Sequence, residues 1–260
     1  MGRPNVQEDA KRVFEILKGG GIAICPADVG YAVMAINPKS LEKIFLTKQR
    51  GAHKRHAGIG SYAIHKEVHI MEPLHHEIVD HLTQDLDIPV GVIARYKRDH
   101  PMVKNIDPVT MEACDVNGSL SVLVNAGAFQ DALTSLTFAE NIPLLGSSAN
   151  LSGTGTKYRV DDINKELIDI ADIVIDYGLL KWWVHGRSST LLDFSGPSVE
   201  VIRIGACYDV IRDVLKRRWN IDLPPDPGME SLRFGHLRNL DPVKSLQDLI
   251  TPIHSKSTTG

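Results

Sequence analysis

Short, mainly apolar runs recur along the chain, separated by segments whose apolar residues fall at helical spacing. The short runs predict buried strands at residues 22–25, 31–36, 57–64, 90–96, 119–124, 142–146, 173–176, 189–194 and 199–204. The segments at helical spacing predict helices at residues 6–17, 41–48, 74–82, 129–140, 160–170 and 208–219. Because strands and helices alternate, the pattern predicts an α/β domain built around one sheet.

The composition of the chain changes after Trp219. The segment 223–228, Leu-Pro-Pro-Asp-Pro-Gly, is typical of a linker, and the last residues are polar. Residues 216–260 are too few for an independent second domain. We therefore predict one domain over residues 1–215, followed by a Pro-rich linker and C-terminal tail that lies across the domain or frays.

Composition and charge narrow the class of protein. The 260 residues are 43% hydrophobic and 23% charged, which excludes a disordered chain or a fibre. The chain lacks a long apolar run and an apolar N-terminal segment, so we expect a cytoplasmic protein with no membrane partner. Its three scattered cysteines predict buried, reduced thiols. The net charge of −3 argues against a bulk polyanion binder but allows a local basic patch.

Three segments carry residues suited to binding a phosphate-bearing ligand. The small-residue loop 26–30 follows a strand and lets backbone N–H groups approach a ligand. Lys48 and Arg50 follow a predicted helix, where cations either hold phosphates or simply face solvent. The segment 146–153, Gly-Ser-Ser-Ala-Asn-Leu-Ser-Gly, either grips phosphate or ribose oxygens or forms a turn capped by its own side chains.

Four segments, in the same order along the chain, resemble the YrdC-like family, whose best-known enzymes make threonylcarbamoyl-adenylate for tRNA modification. GGGIAICPADVGYAV is similar to the family's glycine pair, strand and P-T-[DE]-T-x-Y-G-L loop, and KQR resembles its K-x-R. PLLGSSANLSG resembles P-[IL]-x-x-[TS]-S-A-N-x-S-G. SSTLLDFSGPSVEVIRIGA is similar to the S-T-[IV]-[IV]-D strand, the hairpin and the L-R-x-G-A motif. The resemblance spans residues 17–206.

This resemblance implies a YrdC-like α/β fold, with a twisted mixed sheet and helices around a concave basic cavity. The cavity would bind ATP, accompanied by Mg²⁺, with Lys48 and Arg50 as the catalytic residues at the phosphates. The residues implied in nucleotide binding are Lys48, Arg50, Ser148, Asn150, Ser189 and Arg203. The residues implied in acceptor binding are Asp28, Tyr31 and Ser148.

The differences from the family pattern lie on the acceptor side. The family's two loop threonines are Ala27 and Val29 here, Gly91 stands where a threonine is expected, and Leu123 replaces an arginine. Each lost hydrogen-bond partner in a buried site costs about 1–3 kcal/mol. The sequence therefore predicts the family's activation chemistry with an acceptor other than L-threonine.

The implied reaction is that of an ATP-dependent nucleotidyltransferase. An amine or amino acid and bicarbonate form a carbamate, which attacks the α-phosphate of ATP and releases pyrophosphate; related domains activate a carbamoyl donor instead. Positioning and charge neutralisation would carry the catalysis. The alternative is a catalytically degenerate module that binds a nucleotide, tRNA or double-stranded RNA, with residues 48–56 and Lys97-Arg98 as its footprint.

Seven of the 11 histidines lie between His53 and His81. His65 and His69 are four residues apart, a spacing that binds zinc when both lie on a helix. The surrounding YAIHKEVHI alternates like a strand or loop, however, and no Cys or Asp completes a ligand set, so we expect no metal site. His53 and His56 follow Arg50 and face the cavity or belong to a surface loop.

Overall fold

The computed structural model describes residues 4–49 and 57–237. Its α-helices are α1 (Val6–Lys18), α2 (Pro38–Thr47), α3 (Tyr62–Val68), α4 (Pro73–Asp80), α5 (Pro101–Lys104), α6 (Pro108–Glu112), α7 (Ala128–Ala139), α8 (Lys165–Ile170) and α9 (Tyr208–Trp219). A π-helical turn at His81–Asp85 extends α4, and short 3₁₀ turns lie at Val160–Asp162 and Trp183–His185. Within the described residues, no helix is both long and apolar enough to cross a bilayer.

The strands of the described residues form one mixed sheet. They are β1 (Ala23–Cys25), β2 (Ala32–Ala35), β3 (Ala57–Ile59), β4 (His69–Ile70), β5 (Val90–Tyr96), β6 (Ser119–Val124), β7 (Leu145–Ser148), β8 (Ile173–Val174), β9 (Thr190–Asp193) and β10 (Glu200–Arg203). The strand order is β10-β9-β5-β6-β3-β7-β2-β1-β8, and β4 pairs with β5. The pairs β5–β9, β3–β6 and β1–β8 are parallel, and the other pairs are antiparallel.

Helices cover one face of the central strands β5, β6 and β9. Val92 and Val122 point to this face and share a hydrophobic core with Ile78 of α4 and Ile211 of α9. Because successive residues of a strand point to opposite faces, the residues between these core positions lie on the other face. Leu123 is one of them, and it lines a cavity.

The clearest predictions from the sequence are confirmed. Strands over residues 90–96 and 119–124 and the helix over 208–219 have the predicted bounds, and the α/β class holds. The three cysteines are free and buried.

The prediction of a strand over residues 57–64 was wrong beyond Ile59. Ser61 ends the extended segment because its side chain accepts a hydrogen bond from the Ile64 backbone N–H at 3.3 Å and so caps α3. The interpretation of YAIHKEVHI as strand or loop was therefore also wrong for most of its length. Its first seven residues form α3, and only His69 and Ile70 form a strand.

The first part of the predicted tail lies against the sheet. Helix α9 continues to Trp219, past the domain boundary predicted at residue 215; that boundary stays a prediction. After α9, Leu223 is buried. The backbone N–H of Ile204 donates to Gly235 at 2.8 Å, and that of Leu237 donates to Ile202 at 3.0 Å. Residues 235–237 therefore run beside β10, and Leu223 and Pro224 lie against α9. The end of the tail lies outside the described residues.

Candidate functional site

A cavity of about 570 Å³ opens on the face of β5, β6 and β9 opposite to the core that these strands share with α4 and α9. This volume lies in the range of ordinary ligand sites, about 300–1,000 Å³. Strand residues form its floor, and four loops surround it, at 27–31, 146–156, 186–189 and 231–236. All the predicted site residues within the described ranges except Asp28 line this cavity.

The loop 146–153 is held in place by Lys48. This side chain is only 2% exposed, and its ammonium group donates to the backbone carbonyls of Ser148 and Asn150. In return, the backbone N–H of Ser152 donates to the Lys48 carbonyl at 3.1 Å. The Ser148 hydroxyl donates to the side-chain oxygen of Asn150. Lys48 therefore fixes the shape of the loop as well as lining the cavity.

Arg203 and Ser189 form the opposite wall of the cavity. The guanidinium of Arg203 donates to the Ser189 carbonyl at 3.0 Å and to the Ser189 hydroxyl at 3.1 Å. Burial lowers the pKa of Arg203 to about 10, with a smaller opposing effect from Tyr158. Among the described residues, Arg203 has no carboxylate within ion-pair distance. An anion in the cavity would supply that missing charge.

Arg187 joins the cavity to the residues that follow α9. Its side chain is 3% exposed and forms an ion pair with Asp226 at 2.6 Å. A second nitrogen of the same guanidinium donates to the Leu232 carbonyl at 2.7 Å. Partial burial opposes the charge on Asp226, but the hydrogen bond and charge of Arg187 lower the pKa of this carboxyl below its usual value. Arg187 thereby anchors the segment 231–236 over the cavity.

Within residues 4–49 and 57–237, the charged side chains that line the cavity are all basic. They are Lys48, Arg187, Arg203 and Arg233, with His236 beside them. Among the described residues, no Asp or Glu side chain lines the cavity. Although the whole chain is net acidic, the cavity is therefore suited to an anionic ligand.

Apolar residues form the centre of the cavity floor. Leu191 of β9 pairs with Gly91 of β5, Gly91 pairs with Leu123 of β6, and Ile59 of β3 pairs with Leu123. All four residues line the cavity. We call this row, Ile59, Gly91, Leu123 and Leu191, the apolar floor. We call Lys48, Ser148, Asn150, Arg187, Ser189 and Arg203 the polar rim.

The loop between β1 and β2 separates two residues predicted to bind the acceptor. Tyr31 lines the cavity, but its hydroxyl is already hydrogen-bonded to Asp176 at 3.1 Å and to Gly178 at 3.0 Å. Burial raises the pKa of Tyr31 to about 12. Asp28 is not among the described residues that line the cavity. Its carboxylate lies against Gly127 and 3.7 Å from the Lys181 ammonium group.

The structure brings together predicted residues that are distant in sequence, and it adds others. Lys48, Ser148, Asn150, Ser189, Arg203 and Tyr31 line one cavity. Arg50, His53 and His56 lie outside the described residues. Sequence reasoning missed Arg187 and Arg233. Arg187 directly precedes the Ser-Ser-Thr motif, a signal that could have found it, whereas nothing local distinguishes Arg233 in the tail.

His65 and His69, the two histidines spaced four residues apart, lie away from the cavity. Their Nδ1 atoms are 2.9 Å apart, so one ring donates a hydrogen bond to the other. Burial lowers the pKa of His65 to about 4 and that of His69 to about 3. In the described part of the chain, no group of three or more His, Cys, Asp or Glu side chains is placed to hold a metal ion.

Known proteins share both the sequence pattern and the fold. A family model labelled Sua5/YciO/YrdC and described as "Telomere recombination" matches residues 15–205. A Methanocaldococcus jannaschii protein named "Putative threonylcarbamoyl-AMP synthase" is 27% identical over 207 residues, which cover 76% of this chain and 88% of that protein.

Solved structures with a similar fold include the following two. A hypothetical protein from Streptococcus mutans UA159 matches with a TM-score of 0.70 and 21% identity, over 82% of this chain and 93% of that one. P. abyssi Sua5, solved in complex with L-threonine, matches with a TM-score of 0.63 and 17% identity. That similarity covers 86% of this chain and 61% of the Sua5 chain.

Proposed function

The chain belongs to the Sua5/YciO/YrdC family, and from this premise we propose that it is an ATP-dependent enzyme that forms a carbamoyl-adenylate. The observation that carries the proposal is the charge of the cavity, which is lined by Lys and Arg side chains and, in the described ranges, by no carboxylate. ATP is a polyanion whose phosphates would neutralise these cations. The half-buried Arg203, which has no acidic partner in the described part of the chain, gains most from such a ligand.

The proposed reaction has two steps. An amine and bicarbonate combine with loss of water to form a carbamate. A carbamate oxygen then attacks the α-phosphate of ATP, the bond to the β-phosphate side breaks, and pyrophosphate leaves with the bonding electron pair. Neither step needs a dedicated acid or base in the cavity, because positioned cations stabilise the charge on the transferring phosphate.

Five of the six residues of the polar rim have a direct role in this proposal, and Arg187 anchors the segment 231–236 beside them. Arg203 would bind the phosphates, and Ser148, Asn150 and Ser189 offer hydroxyl and amide groups to the phosphate and ribose oxygens. Lys48 would act partly through the loop that it holds. The predicted phosphate contact of Arg50 remains part of the proposal and concerns a residue outside the described ranges.

Magnesium would enter the cavity with the nucleotide. Mg²⁺ is usually bound by one or two carboxylates together with substrate phosphates. No carboxylate of the described residues lines the cavity, so the residues present do not form a protein site for the ion. We therefore treat Mg²⁺ as part of the MgATP substrate.

The acceptor would differ from L-threonine. Ala27, Val29, Gly91 and Leu123, the positions that depart from the family pattern, all line the cavity. None of their side chains can hydrogen-bond to a hydroxyl or a carboxylate. This supports a relative of threonylcarbamoyl-AMP synthase with a different amine substrate.

The alternative function, binding of tRNA or double-stranded RNA without catalysis, has less support. The described residues of its predicted footprint are Lys48, Gln49, Lys97 and Arg98. Lys48 is buried and holds the loop 146–153, whereas Lys97 and Arg98 are exposed but do not line the cavity. Arg98 also lies 3.9 Å from the carboxylate of Asp115, which offsets its charge. RNA binding that weakens with salt, combined with no ATP turnover, would favour this alternative.

The test is the conversion of ATP to AMP and pyrophosphate. Purified protein is incubated with MgATP and bicarbonate across a panel of amines and amino acids, with L-threonine as the reference. We expect AMP formation that depends on both bicarbonate and one class of amine. If calorimetry detects no ATP binding and no amine supports AMP formation, the proposed function is wrong.

A further inference from the structure

The apolar floor has no polar side chain across four adjacent strands. Leu191, Gly91, Leu123 and Ile59 are in direct register, so their side chains stand in one row on the same face of the sheet. This row is continuous from β9 to β3. Any part of a ligand that rests on it meets carbon atoms only.

Leu191 covers the one position of the floor that has no side chain. A Cβ atom placed on Gly91 would lie 2.6 Å from Cδ1 of Leu191. The tip of the leucine side chain therefore occupies the space above the glycine backbone. As a result, the Gly91 backbone is not open to a polar ligand group, and the surface of the floor is made of leucine and isoleucine carbons.

Two residues of the β1–β2 loop extend this surface. Ala27 is 3% exposed and Val29 is 2% exposed, and both line the cavity. The acidic residue between them, Asp28, is directed instead towards Gly127 and Lys181. The loop thus places two apolar residues at the wall of the cavity and directs its carboxylate away from it.

The charged part of a ligand would bind at the polar rim and its apolar part at the apolar floor. At the edge of the row, Arg203 of β10 pairs with Leu191, so a cation stands directly beside the floor. An anionic group would bind at the polar rim, while a side chain on the same molecule would rest on the floor. Ser121, two residues before Leu123, is the only hydroxyl residue of β6 that lines the cavity.

From this arrangement we infer that the amine substrate is an α-amino acid with an aliphatic side chain, such as valine or leucine. The inference rests on the proposed function and specifies its acceptor. Valine and threonine have nearly the same shape, so their comparison isolates the hydroxyl. A hydrophobic pocket discriminates against an added hydroxyl by about 100-fold in kcat/KM.

The experiment compares L-valine, L-leucine and L-threonine in two measurements. The first is kcat/KM for bicarbonate-dependent AMP formation from MgATP. The second is calorimetric binding of each amino acid in the presence of a non-hydrolysable ATP analogue. We expect valine or leucine to exceed threonine by at least about tenfold in both. Equal or stronger binding and turnover of threonine would overturn the inference and leave the proposed function standing.

The other outcomes are also informative. Selective binding of valine or leucine without AMP formation would support the apolar pocket and overturn the proposed reaction. Absence of both binding and turnover for all three amino acids would overturn the inference.

A matched pair of variants tests whether the floor is responsible. Leu123→Gln places an amide on the floor, and we expect it to lower the valine-to-threonine ratio of kcat/KM by about fivefold or more. Leu74→Gln makes the same change on an exposed position of α4, outside the cavity, and should leave the ratio unchanged. Thermal unfolding of both variants verifies that they are folded. A ratio that is unchanged in folded Leu123→Gln would contradict the inference.

Discussion

The polar rim and the apolar floor share one cavity but are built in different ways. The rim is held by hydrogen bonds to backbone atoms, as when Lys48 donates to two carbonyls of the loop 146–153 and Arg203 donates to the Ser189 carbonyl. The floor is made of side chains that stand in register on ordinary strands. A rim residue that is hydrogen-bonded to the backbone cannot shift unless the backbone moves with it. A floor side chain can be replaced by mutation without any movement of the strand.

Two glycines show this difference directly. A Cβ atom on Gly205 would overlap backbone atoms of Ser188 and Ser189, which belong to the wall of the rim. A Cβ atom on Gly91 would meet chiefly the tip of the Leu191 side chain, which can rotate away. An added side-chain atom at the rim would therefore displace the backbone, whereas one at the floor would displace only a side chain.

The largest effect is expected from Gly205→Ala. The added methyl group would force the backbone at 188–189 away from β10, so we expect a loss of about 3 kcal/mol or more in the free energy of unfolding. Gly91→Ala is the matched control, and it should cost less than about 1.5 kcal/mol because only a side chain must move. Urea unfolding of both variants measures the difference. Equal losses would show that rim and floor do not differ in rigidity.

The next effect in size is expected from Arg203→Ala. This change removes a cation that has no carboxylate partner in the described part of the chain, so we expect ATP affinity to fall by about 100-fold, or about 2.7 kcal/mol. Calorimetry on the purified variant measures the dissociation constant. Arg217→Ala, which removes a cation from an exposed pair on α9, is the control and should leave ATP affinity unchanged. If the Arg203→Ala variant binds ATP as tightly as the unsubstituted protein, the rim does not bind the nucleotide.

The smallest effect concerns residues outside both surfaces. Burial is the main cause that lowers the pKa values of both histidines, His65 and His69, in the folded protein. The charges of His76 and Lys66 add to this for His65, where Asp80 opposes it, and the charge of His65 adds to it for His69. The unfolded chain therefore binds more protons between about pH 6.5 and pH 4. The stability that depends on these two histidines is fully present above about pH 6.5 and is lost as the pH drops towards 4.

We expect the free energy of unfolding to decrease by about 1–2 kcal/mol between pH 7 and pH 6 because of this pair. Urea unfolding at the two pH values measures the change. A double variant, His65→Gln with His69→Gln, should show a smaller decrease because it cannot take up these protons. The preference for one amino acid over another should not change, since neither histidine lines the cavity. A pH-independent free energy of unfolding in the unsubstituted protein would contradict this account.

Much of the fold could be predicted because the strongest elements have clean periodicity. Strand β6 alternates between core and cavity faces, and α9 repeats its apolar residues at helical spacing. Helix α3 was missed because its beginning depends on one capping side chain, Ser61, within an apolar run. A local pattern of hydrophobicity does not report such a cap.

The candidate site also contains residues that could be predicted from the sequence and residues that could not. Lys48 and the loop 146–153 could be identified because their residue types are themselves suited to binding anions. Arg187 was missed because its position depends on Asp226, which lies 39 residues later in the chain. The apolar floor was also not foreseen as a unit. It depends on the register of four strands, and register is set by pairing between segments that are distant in sequence.

The row across the sheet also has a consequence for the evolution of substrate preference. Leu123 and Leu191 come from different strands, and their neighbours along those strands, such as Val122 and Leu192, belong to the core on the opposite face. A single mutation at Leu123 or Leu191 therefore alters the ligand surface and leaves the core residues in place. Descendants of one gene could therefore change the ligand preference of the cavity one codon at a time while selection preserved the same polar rim.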